Sequence, residues 1–308
     1  MSCPPITGPA QLARRLPTAC ARALLQTVES KNPMAELAAA LARRRSLVEP
    51  PADATAPAVT AEVTLDDLEA MQQVERQKRH FELARICTAM QGAPARFPDV
   101  YPLQDDSRFY MQALIDNIDE ICACSNPSLA VEVGCGAAPS AALLSRLLPA
   151  TATFAVDIST SALCAAEALM SHAPLHLARM DLLAAFRSGM VDVLLFLPPY
   201  VPTSEDALLA QQVAAAAADQ PVESLAAAAW NFGGGPSGLA LLERFVAEEL
   251  HRVLSDDGIA FILTPDTDES PRMVERASCG ALTATVAARH RDERQALCIL
   301  RVEKSGVG

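Results

Sequence analysis

The chain lacks any apolar run near the ~20 residues that cross a bilayer, so nothing in it reads as a membrane span. It also lacks a C-x-x-C pair. Its nine cysteines are scattered, the nearest two being Cys122 and Cys124, which argues against a disulfide frame or an internal metal site and for a reducing compartment. Five histidines are present, yet none stands in a recognisable Ser/His/Asp arrangement. A basic footprint is missing from most of the protein as well. Residues 1–48 carry seven Lys/Arg against Glu29 and Glu36, while the remainder carries 18 against 35, for a net charge of −12. Strong direct binding of a nucleic-acid backbone is therefore not expected of the bulk of the chain.

What is present is a chain of 308 residues, 51% hydrophobic and 20% charged, enough for one large globular domain with an extension. Residues 1–97 read as a helical extension, with a Pro/Ala-rich linker at 49–60. The first 28 residues hold Arg14, Arg15 and Arg22 and no acid, as a mitochondrial presequence would, but Pro4, Pro5, Pro9 and Pro17 interrupt the helix such a signal needs. A cytoplasmic location is expected, with mitochondrial delivery as the alternative. A helix is predicted from Thr64, whose spacing to Asp67 resembles a capping box, to a stop at Gly92 and Pro94. From residue 128 a strand–helix rhythm begins. SLAVEV, TFAVDI, LHLARM and VDVLLFL read as strands, a long helix follows at 237–254, SDDG turns the chain, and IAFILT, ALTATVAAR and QALCILRVE complete the set. The pattern is α/β: an open, mostly parallel, Rossmann-like seven-stranded sheet with helices on both faces, whose ligands bind beyond the carboxyl ends of the strands.

The first strand ends in VEVGCGAAPS, where Gly134 and Gly136 permit a tight turn and close approach of backbone to ligand. A dinucleotide fingerprint would have a third glycine where Pro139 stands, and Glu132 would sit badly beside a phosphate but well beside an ammonium group. The second strand ends in Asp157, placed to accept the two hydroxyls of a ribose, and the third in Asp181, placed to meet an adenine amino group. Each acid alone is more often a solvated strand end or a cap. Three at the ends of successive strands point to a nucleoside site.

VEVGCG, AVDIS, MDLL and LPPY together resemble the class I S-adenosylmethionine-dependent methyltransferases, and within them the HemK-type family that methylates glutamine side chains. DVYPLQDDSRFYMQAL (99–114) and AAWNFGGGPSGLALLERF (228–245) are similar to segments of its eukaryotic and archaeal release-factor branch. The likeness covers about residues 98–303, so a methyltransferase domain is expected over 98–308, with an insertion at 204–224. The resemblance implies S-adenosyl-L-methionine as cofactor. Glu132, Gly134 and Gly136 would wrap its methionine part, Asp157 its ribose, and Asp181 with Leu182 its adenine. Tyr101, Asp105 and Ser107 would lie over it. The resemblance further implies a release-factor-like protein substrate, a role in translation termination, and a heterodimer with a small zinc-binding activator along the sheet edge.

The family's catalytic tetrapeptide is Asn-Pro-Pro-Tyr; here it is Leu197, Pro198, Pro199 and Tyr200. The prolines stiffen the corner and the tyrosine offers a ring to a flat acceptor. Leucine has nearly the size of asparagine and no hydrogen-bond acceptor, so an amide N–H set against it would go unpaired at ~1–3 kcal/mol. Two functions follow: a protein methyltransferase acting on a glutamine or related amide or amine, or a catalytically silent cofactor-binding subunit with a structural or assembly role.

Overall fold

A computed structural model describes residues 65–125, 127–204, 235–293 and 295–306. The expected N-terminal helices, the linker, the Thr64 cap, nearly all of the 204–224 insertion and the Trp230 loop lie outside the described residues. Helix α1 (Leu65–Ala89) leads into a short turn of helix α2 (Ala93–Arg96), then α3 (Asp105–Asp116) and α4 (Ile118–Ser125). Strands and helices then alternate: β1 (Leu129–Val133), α5 (Pro139–Leu147), β2 (Ala152–Asp157), α6 (Thr160–Leu169), β3 (Leu175–Arg179) and β4 (Val191–Phe196). Helix α7 starts at Ala240–Phe245, continues through a π-helical turn, Val246–Leu250, and ends at His251–Val253. It is followed by β5 (Leu254–Pro265), α8 (Glu269–Ala277), β6 (Leu282–Arg291) and β7 (Ala296–Lys304).

The seven strands form one sheet in the order β3-β2-β1-β4-β5-β7-β6. Every pair is parallel except β5 with β7 and β6 with β7. Order and direction are those of the Rossmann-like class I methyltransferases, and the expected α/β architecture is present. Two local expectations fail. SDDG is no turn but the early part of β5, where pairing with β4 slips between Val191 and Val193 so that Leu254 and then Ile259 are opposite them. The long helix is shorter than 237–254 and is broken by the π turn.

Both faces of the central strands are covered, which is why β4 reads as hydrophobic sequence apart from Asp192 near its start. Leu194 and Phe196 turn toward a core built with α7 and α8, including Phe245, Leu250 and Val274. Val193 and Leu195 turn the other way, toward Tyr110 and Leu114 of α3 and Leu144 of α5. The described residues from Glu69 onward belong to one compact unit. The reason is packing: Ile86 and Met90 are buried with Met111 of α3 and Leu143 of α5.

Candidate active site

The carboxyl ends of β1, β2 and β4 open onto a cavity of about 480 Å³, within the range that holds a drug-sized ligand. At the end of β1 the chain turns through Gly134 and Gly136, with φ of +59° and +54°, conformations in which a side chain is strained. Ala138 also has a left-handed φ of +59°, directly before Pro139 opens α5. It has no side chain to cap that helix. Glu132 supplies the cap from below, its Oε2 accepting the Ala141 N–H at 2.8 Å. Burial pushes the Glu132 carboxyl up to about 8, and the Ala141 N–H offsets only part of that.

Asp157, at the end of β2, accepts the Ser159 N–H at 2.8 Å through Oδ1 and the Gly136 N–H at 2.9 Å through Oδ2. It thereby ties the glycine turn to the start of α6, where Ser159 caps the helix by accepting the Ala162 N–H. Burial raises its carboxyl to about 6 against these backbone donors. Ile158, beside it, leaves half its surface exposed at the cavity wall.

The third acid is placed differently. Asp181 stands at the rim with its side chain 59% exposed, paired at 2.8 Å with Arg244 of α7. Sequence reasoning did not connect the two. Leu182 follows with φ +48°, which turns its side chain into the wall.

Every residue singled out in the sequence as a site residue lines this cavity except Asp105. Asp105 is a correction: its side chain is 79% exposed and pairs with Arg108. The residue that faces inward is Asp106, 4% exposed. Its Oδ1 accepts from the Ser107 N–H and hydroxyl, and its Oδ2 from the hydroxyls of Tyr101 at 3.1 Å and Tyr200 at 2.9 Å. The signal was present in the helical phase. Asp106 and Tyr110 are four residues apart on the buried face of α3, while Asp105 and Arg108 are on the solvent side. Burial and the Asp106 charge raise both Tyr101 and Tyr200 well above the ordinary tyrosine range, so both hydroxyls keep their protons.

The tetrapeptide is held from two sides. Fully buried Tyr110 donates its hydroxyl to the Phe261 carbonyl at 2.7 Å and accepts the Phe196 N–H at 3.2 Å. A side chain of α3 thus bonds both β4 and β5 just where Leu197 begins. On the other side Gly238, with φ +75°, packs so closely on the Tyr200 carbonyl that a Cβ there would overlap it. The loop that leads into α7 therefore backs the lip formed by Pro198, Pro199 and Tyr200.

No family model matches the chain. Over 141 residues, 44% of its length, it is 28% identical to a release factor glutamine methyltransferase of Gloeobacter violaceus. The match takes in 46% of that protein, so the chain spans about half the length of the curated relative it matches. Among solved structures, the E. cuniculi Mtq2–Trm112 complex, which methylates the eRF1 translation termination factor, superposes with a TM-score of 0.45 at 22% identity over 67% of this chain and 99% of that one. A ribosomal protein L11 methylase of Lactobacillus delbrueckii does so with a TM-score of 0.41 at 15% identity, over 65% of this chain and 80% of the other. The chain has the Rossmann-like fold of the class I methyltransferases and, over less than half its length, is similar in sequence to a release factor glutamine methyltransferase.

Proposed function

We propose that the protein binds S-adenosyl-L-methionine and transfers its methyl group to a nitrogen of a protein side chain. The observation that carries this is the set of acids at the strand ends. A buried carboxylate at Glu132, costly when empty, suits the cofactor's ammonium; Asp157 suits the ribose hydroxyls. Ile158 and Leu182 offer apolar surface to the adenine, with Asp181 at its rim. The cofactor supplies an electrophilic methyl group on a sulfonium. The chain's part is to orient the acceptor: the two prolines and the Tyr110 and Gly238 supports keep the lip rigid. Calorimetric titration tests the reading directly. Saturable binding of S-adenosylmethionine that is lost in Glu132→Gln supports it, and no binding, with or without a partner protein, overturns it.

Leu197 favours a second reading, in which the protein binds cofactor without transferring methyl and serves as a structural or assembly subunit. Binding without transfer to any release-factor or ribosomal fraction decides for it. A release-factor-like substrate, a role in translation termination and a small zinc-binding activator belong to the proposal as well. The activator would pair along a sheet edge, β3 or β6, each of which carries half-buried apolar side chains. Solubility of the chain that improves on co-expression supports an activator; a well-behaved active monomer argues against one. A cytoplasmic location, with mitochondrial delivery as the alternative, is tested by fractionation.

A further inference from the structure

The lip of the cavity brings apolar side chains together with a polar terminus that offers hydrogen-bond acceptors. Leu197 follows β4 and Leu263 belongs to β5. Because Phe196 is paired with Ile262, the two leucines are level with each other. Both line the cavity together with Leu103 and the rings of Tyr101 and Tyr200. At the terminus is Asp106, a buried carboxylate with four neutral donors and no cation in ion-pair range among the described residues. Tyr101 and Tyr200 have committed their hydroxyl protons to it, so their oxygens have only lone pairs left to offer. The second neighbour of the Tyr200 hydroxyl, Gln295 Oε1 at 3.3 Å, is an acceptor too.

We propose that the methyl acceptor is a primary amine on an alkyl stem, a lysine-type side chain, and that Leu197 with the Asp106–Tyr101–Tyr200 cluster selects it over a carboxamide. The proposal rests on the reading of the site as that of an S-adenosylmethionine-dependent methyltransferase. An ammonium group has donors only, which matches a terminus of acceptors around an uncompensated negative charge. The aromatic rings add attraction for a cation, and the methylene stem packs on the leucines. A carboxamide fits badly at both ends. Its carbonyl meets the oxygens of the Asp106–Tyr101–Tyr200 cluster, whose protons are already committed, and its N–H groups meet leucine and go unpaired. The net charge of −12 also draws a basic segment toward the protein.

Transfer then requires the amine to lose one proton. That proton passes to the Tyr200 oxygen as the Tyr200 hydroxyl proton passes to Asp106 Oδ2, along the existing 2.9 Å hydrogen bond. The freed nitrogen lone pair forms the N–C bond to the methyl carbon of S-adenosylmethionine, while the C–S bond breaks and its electrons stay on sulfur. The products are an N-methylammonium and a neutral thioether, and Asp106 returns its proton to solvent.

The test uses the full chain and two small acceptors, Nα-acetyl-lysine methylamide and Nα-acetyl-glutamine methylamide, with labelled S-adenosylmethionine. Transfer to the lysine compound at 100-fold or more the rate of the glutamine compound is expected. A non-kinetic readout accompanies it: with S-adenosylhomocysteine bound, calorimetry is expected to detect the lysine compound at least 10-fold more tightly than the glutamine one. Leu197→Asn is expected to narrow both ratios, and Asp106→Asn to weaken lysine binding by 10-fold or more. Preferential methylation or binding of the glutamine compound overturns the proposal and leaves the methyltransferase reading standing. Transfer to neither compound while S-adenosylmethionine binds also overturns it. Absence of S-adenosylmethionine binding removes the underlying reading and this inference with it.

Discussion

Replacing Glu132 with glutamine should make the empty protein more stable at alkaline pH, although it removes a residue from the candidate site. Glutamine keeps the shape and can still accept the Ala141 N–H, so the cap on α5 survives. What disappears is a carboxyl whose ionisation is opposed by burial, with its pKa raised from 4.5 to about 8. The sign follows from proton binding. The folded state holds the proton more tightly than the unfolded state, so this stabilisation is complete below about pH 4.5 and is lost as pH rises through about 8. At ~1.4 kcal/mol per unit, the ceiling on that loss is about 5 kcal/mol. Urea denaturation of both proteins at pH 5 and pH 8.5 measures it. The two should lie within about 1 kcal/mol at pH 5, and the variant should lead by a few kcal/mol at pH 8.5. An equal gap at both pH values would refute the reasoning. Asp157, raised to about 6, adds a fall at lower pH that is common to both proteins and cancels in the difference. The same carboxyl makes cofactor uptake proton-linked. Once an ammonium pairs with it, its pKa drops, and about one proton should be released on binding at pH 7, read as a dependence of the calorimetric enthalpy on buffer ionisation.

Tyr110→Phe should cost ~1–3 kcal/mol in chemical denaturation, because two buried hydrogen bonds, from the Phe196 N–H and to the Phe261 carbonyl, are lost; an effect below ~0.5 kcal/mol would mean the strand ladder alone satisfies both groups. Ala138→Gly should stabilise the protein by up to about 1 kcal/mol in the same assay, since φ at that position is left-handed; a destabilised variant would show that the alanine methyl is needed in the core. Gly238→Ala should displace the Tyr200 carbonyl and lower methyl transfer by 10-fold or more while S-adenosylmethionine affinity changes less, so unchanged turnover would show that the loop does not brace the lip.

The strands were legible because both their faces are buried, so β4 appears in the sequence as an apolar run broken only by Asp192 and ending at a proline corner. The acids of β1 and β2 were legible because an open sheet brings the carboxyl ends of its strands to one mouth, Glu132 being next to last in β1 and Asp157 last in β2. Asp106 was overlooked in favour of Asp105 because two adjacent acids look alike until the phase of α3 decides which one turns inward. The pairing of Asp181 with Arg244 joins residues 63 positions apart, and nothing local in either segment announces it. The SDDG bulge misled because the sequence has the composition of a turn, while its pairing with β4 is a tertiary fact. Tyr110 was hidden in another way. A tyrosine on a buried helical face reads as core, and only the two strand groups it bonds reveal that its hydroxyl ties α3 to both β4 and β5.

That hydroxyl bears on the order in which the molecule opens. The Phe196 amide stands where β4 pairs with β5 and also donates to a hydroxyl carried by α3, so its exchange with solvent depends on that helix as well as on the sheet. Amides deeper in β1 and β4 have strand partners and must wait for the sheet itself to come apart. The amide next to Leu197 is therefore a spectroscopic probe that feels both α3 and the sheet. Its exchange rate would report, in a single signal, how often the mouth of the cavity is unlatched and how far a bound ligand holds it shut.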